Sequence, residues 1–126
     1  MNGLRVLVLG ALALLIPAAW ARVGTLVQQA PLKAKALSNP FEGQPRAQRA
    51  GAKLFARECA TCHGPEGLGI RKAPPLTLLD VQEASPGALF WVLRNGSLMR
   101  GMPSFAHLPE PQRWQIITYL KTLKAR

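Results

Sequence analysis

Both cysteines of the chain, and one of its two histidines, fall in a single pentapeptide, Cys59-Ala60-Thr61-Cys62-His63. C-x-x-C-H is the attachment signal for c-type haem. Two thiols three positions apart on one helical turn can reach the two vinyl groups of a porphyrin and form thioethers. The next residue then aims its imidazole at the iron. Other uses of these residues fit less well. A thioredoxin-like redox pair needs a strand before the C-x-x-C in a βαβ context, and here the preceding residues are helically patterned. A zinc site would have to recruit Cys59, Cys62, His63 and His107, and His63 is joined directly to Cys62, against ordinary ligand spacing. A lone disulfide across C-x-x-C closes too small a loop to stabilise much.

An electron-transfer haem needs a second axial ligand, and Met99, Met102 and His107 are the candidates. Met102 is assigned this place. It lies in Gly101-Met102-Pro103-Ser104-Phe105, where glycine and proline restrict the chain to a loop that can present a thioether inward. Met99 stands between Leu98 and Arg100 and reads as core or surface; His107, near a helix start, reads as structural or exposed. A soft thioether favours Fe(II) and raises the reduction potential.

Three helices must position these groups. The first spans Arg46 to about Ala60, with Ala47, Ala50, Gly51, Leu54 and Phe55 on one face. Arg46, Arg49, Lys53 and Arg57 form a ridge on the other, read as a solvated face rather than a docking surface. Ser85-Pro86 caps a second helix, and Asn95-Gly96 ends it. The third runs from Glu110 or Pro111 to Lys124. Trp114, Ile116, Ile117, Leu120 and Leu123 form its buried side, and Gln115, Thr118 and Thr122 are expected to face water. A Gly- and Pro-rich loop, 64–79, joins the first two helices. No strand pattern is present, and the expected fold class is all-α.

Residues 1–21 read as a secretory signal: Arg5, an apolar stretch from Val6 to Ile16, then Ala19-Trp20-Ala21, with cleavage after Ala21. The stretch is short for an anchor and Pro17 interrupts it, so membrane contact is expected only if the segment is retained or a membrane complex forms. Residues 22–45, interrupted by Pro31, Pro40 and Pro45, read as an extended arm that wraps or leads into a domain at 46–126. That domain of about 80 residues is marginal without a staple or bound cofactor. Two cysteines exclude a disulfide-dense scaffold. A formal charge of +10 suits nucleic acid, anionic lipid or an acidic protein, but export makes nucleic acid remote and the chain a periplasmic one.

Residues 46–124 resemble a small bacterial class I (mitochondrial-type) cytochrome c. Gly51 and Phe55 match the family's helix-packing pair before C-x-x-C-H, with Trp114, Tyr119 and Leu120 where the last helix should cross. Ala73-Pro74-Pro75-Leu76 looks like the segment whose proline carbonyl accepts a hydrogen bond from the proximal histidine, a role carried here to Pro74. GMPSF followed by LPEPQRWQIITYLKTL is similar to the ligand loop and last helix. The resemblance implies the cytochrome c fold, with one covalent haem c held by Cys59 and Cys62. It also implies iron between His63 and Met102, and single-electron transfer between redox partners with acidic docking surfaces, a dehydrogenase donor and an oxidase or other acceptor. The alternatives are a fixed subunit of a larger oxidoreductase and an open-iron enzyme or sensor. The loop before Met102 is shorter than in mitochondrial members, and the arm has no counterpart. Propionate partners are not carried over, although Trp91, Arg94 and Arg71 suit by type.

Overall fold

The computed structural model describes residues 25–70 and 73–124. The leader at 1–21 and Arg71 therefore lie outside the described residues. The order is α1 (Leu32–Lys35), α2 (Pro45–Glu58), α3 (Ala60–His63), α4 (Leu79–Gln82), α5 (Pro86–Asn95), a 3-10 turn (Leu98–Arg100) and α6 (Glu110–Leu120). Among the described residues there is no strand, only the antiparallel pair Ser97 and Met102. The fold is all-α.

Local chemistry sets the helix ends. Pro45 opens α2 at a position where its missing N–H costs nothing. Ser85 Oγ accepts from Ala88 N at 3.2 Å and Pro86 opens α5; Gly96, at φ 61°, ends it. The first expected helix is broken at Cys59, where φ reaches −119°, so the C-x-x-C-H run occupies its own short turn, α3. The third stops at Leu120 rather than Lys124. Thr122 Oγ1 donates to the Tyr119 carbonyl at 2.6 Å, and the N–H groups of Thr122 and Leu123 reach back three residues instead of four.

Helices α2 and α6 cross at Gly51. A Cβ there would lie 1.9 Å from the Gln115 carbonyl oxygen, so only glycine permits this approach. Phe55 packs on Tyr119 with ring centroids 5.2 Å apart, and Phe90 of α5 stacks on Trp114 of α6 at 4.1 Å. Phe55, Ile116 and Ile117 are almost wholly buried at the centre of the core.

Residues 25–45 do not run extended. Successive turns bond locally, as from Gln28 N to Thr25 O at 3.0 Å, and α1 lies against α5 where a Cβ on Gly87 would meet the Ala34 carbonyl oxygen at 2.0 Å. Val27 and Ala30 are buried. Asn39, also buried, donates to Thr118 Oγ1 at 2.9 Å and to the Trp114 carbonyl at 3.2 Å, while its Oδ1 accepts from Phe41 N at 2.9 Å. Thr118 therefore faces this segment and not water, as its neighbours in α6 alone would suggest; it is 6% exposed.

Candidate functional site

The break after α2 gives the two cysteines different environments. Cys59 belongs to the buried cluster with Leu54 and Phe55, whereas Cys62 is exposed, and both are free thiols. Burial pushes the Cys59 thiol up to about 12, with Glu58 and Cys62 adding to the shift. An uncharged sulfur suits this place, and a thioether is one. His63 closes α3, and Gly64 at φ 80° turns the chain away from it.

The loop that follows folds back over the histidine. Gly69 N donates to the His63 carbonyl at 2.8 Å, and Leu76 N to the Gly67 carbonyl at 2.7 Å. A Cβ on Gly69, itself at φ 85°, would lie 2.7 Å from the Ala73 carbonyl oxygen. The close return sets the Pro74 carbonyl 3.1 Å from His63 Nδ1. With Nδ1–H donating there, Nε2 is the nitrogen left to bind a metal.

Met102 comes from a tight loop anchored on α5. Ser97 and Met102 exchange backbone bonds of 2.8 and 3.0 Å, and Phe105 N donates to the Leu93 carbonyl at 2.8 Å. Ser104 Oγ donates to the Arg94 carbonyl at 2.5 Å. Met102 is half-buried and packs on the same cluster that contains Cys59. Met99 is fully exposed; His107 is exposed too, with its ring 6.0 Å from that of Phe105 at the edge of the cluster. Trp91 also packs against the cluster, and Arg94 is exposed. Two free thiols on adjacent turns, an imidazole with its orientation fixed and a thioether against the same core are a donor set that fits haem c.

A model of the family described as cytochrome C oxidase, cbb3-type, subunit III, matches residues 46–120, from the start of α2 to the end of α6. The chain belongs to this family. The cbb3-type cytochrome c oxidase subunit CcoP of Rubrivivax gelatinosus is 45% identical over 53 residues, which are 40% of this chain and 17% of the relative. The chain thus accounts for a small part of that protein's length. Among solved structures, cytochrome cL of Methylophaga aminisulfidivorans superposes with a TM-score of 0.61 at 22% identity, covering 69% of this chain and 59% of that one. The c-type cytochrome XoxG of Methylobacterium extorquens gives 0.55 at 26%, covering 63% and 51%. These likenesses establish the cytochrome c fold, and as a cytochrome c domain the chain takes one covalent haem c.

Two residues that the sequence did not single out bond the chain around Met102: Ser104, to the Arg94 carbonyl, and Arg113, to the carbonyls of residues 105, 106 and 108. Ser104 lay inside the quoted GMPSF, where a hydroxyl two residues past the methionine was the available signal. Arg113 gave none, because a cation on an amphipathic helix reads as solvent-facing.

Proposed function

We propose that this cytochrome c domain is an exported carrier of single electrons, with Cys59 and Cys62 as attachment points and His63 and Met102 as axial ligands. The observation that carries the reading is the 3.1 Å contact from His63 Nδ1 to the Pro74 carbonyl. When bound, haem c supplies a one-electron couple between Fe(III) and Fe(II). Pro74 fixes the tautomer and orientation of His63 and raises its basicity. Met102, held by its loop, would be the second protein ligand, and an iron held by two protein ligands would leave no place for a substrate. The chain is on this reading a carrier and not an enzyme. Export with cleavage after Ala21 places it in the periplasm. Its positive charge suits acidic docking surfaces on a donor such as a dehydrogenase and on an oxidase or other acceptor, through weak, salt-sensitive encounters.

A second reading, a fixed haem subunit of a larger oxidoreductase, is favoured by the family itself and by the similarity to CcoP. Optical spectra test the shared core of both. The reduced holoprotein is expected to show sharp α and β bands and no shift under carbon monoxide. Rapid carbon monoxide binding by the native protein would contradict the two-ligand iron. Purification of the untagged protein separates the readings: elution as a monomer supports the carrier, and co-elution with a stoichiometric oxidase or dehydrogenase supports the subunit.

A further inference from the structure

We propose that Arg113 is a positioning residue for Met102, a brace whose buried guanidinium ties down the chain leading from the ligand loop into α6. The inference rests on Met102 being an axial ligand. Arg113 is the fourth residue of α6, at the close of its first turn, and is 7% exposed. Helix stability does not explain it there, since the N-terminal end of a helix repels a cation. Among the described residues no carboxylate pairs with it, and its Nε has no partner. Burying a charge on such terms is costly, so the group must be held by what its other atoms do.

Those atoms converge on one segment. Nη1 donates to the carbonyl oxygens of Leu108 at 3.0 Å and Ala106 at 3.1 Å, with Phe105 at 3.4 Å. The guanidinium carbon lies 4.8 Å from the centroid of Phe90, whose other neighbour is the stacked Trp114. Residues 103–108 lie outside any helix or strand, and three of their carbonyls, those of Phe105, Ala106 and Leu108, converge on this one cation. Bonds from α5 and from Ser97 just beyond it hold Met102, Ser104 and the Phe105 N–H; Arg113 holds the carbonyls of Phe105, Ala106 and Leu108. Met102 therefore sits on a loop pinned to α5 at one side and to α6 at the other. Removing the second pin lets the thioether leave more often without dismantling the helices.

Imidazole reads that leaving directly, because it must wait for Met102 to move away, and its apparent affinity scales with the fraction of open loop. In the oxidised holoprotein, Arg113→Gln is expected to tighten imidazole binding at least tenfold towards the Met102→Ala value. Its sulfur-to-iron near-infrared band should weaken in parallel. Arg113→Lys, which keeps the charge but loses the planar face over Phe90, should fall between the two. Ser85→Ala, which removes the cap at the end of α5 opposite the ligand loop, serves as the control for general loss of stability and should leave the affinity unchanged. A lowered melting temperature with wild-type imidazole affinity in Arg113→Gln overturns the proposal. If that variant yields no holoprotein, wild-type affinity in Arg113→Lys overturns it equally. Wild-type protein binding imidazole as tightly as Met102→Ala would overturn the ligand assignment, and the brace with it.

Discussion

His63 owes its orientation to a backbone carbonyl eleven residues away, which only a loop with glycines at positive φ could bring within 3.1 Å. The C-x-x-C-H spacing was legible because all its members are contiguous; the Pro74 contact became readable only through family resemblance. The two cysteines are chemically unequal in a way spacing could not reveal. The folded state holds the Cys59 proton more tightly than the unfolded state, with the thiol raised from 9.0 to about 12. Wherever the haem-free chain is folded, the stability contributed by the Cys59 proton should therefore be fully present below about pH 9 and lost progressively as pH rises towards 12. In the holoprotein the sulfur is a thioether with no proton to lose. Denaturant midpoints of Cys59→Ser, measured without haem across that range, should lack most of the slope; equal slopes in the two chains would show that Cys59 does not cause it.

At the scale of elements, the close crossing of α2 and α6 is the contact that fixes where C-x-x-C-H lies relative to the last helix. Gly51→Ala drives a methyl into the Gln115 carbonyl, and one helix must move. The expected cost is about 3 kcal/mol, at the top of the range for overpacked sites, read from denaturant unfolding of the holoprotein. Asn39→Ala leaves Thr118 and the Trp114 carbonyl without their buried donor, and should cost about 1–3 kcal/mol. Hydrogen exchange should rise over residues 25–44 in that variant and little elsewhere. The periodicity of α2, α5 and α6 was plain from sequence because each is amphipathic against one core. Thr118 was misread for the opposite reason: its partner is 79 residues away, and no local pattern announces it. The same holds for the N-terminal segment, whose prolines suggested extension while its buried Val27, Ala30 and Asn39 fold it onto the helices.

For the whole molecule, the formal +10 charge acts at a distance. Arg46, Arg49, Lys53 and Arg57 are all exposed along α2, which ends at the attachment motif, although Arg57 is partly neutralised by Glu58 at 2.5 Å. Oxidation of the reduced holoprotein by ferricyanide, an anion, should slow roughly tenfold as salt is raised from low ionic strength, and oxidation by a cationic cobalt complex should quicken. Equal salt dependence for both reagents would remove electrostatic steering from the account. The family fixes the fold and the cofactor, and the proposed iron ligands, His63 and Met102, are what would make the domain a carrier. The most direct test is the near-infrared sulfur-to-iron charge-transfer band of the oxidised holoprotein. The account predicts that the band is present in the wild type and in Met99→Ala and absent in Met102→Ala. A band that survives in Met102→Ala, or that disappears in Met99→Ala, contradicts it.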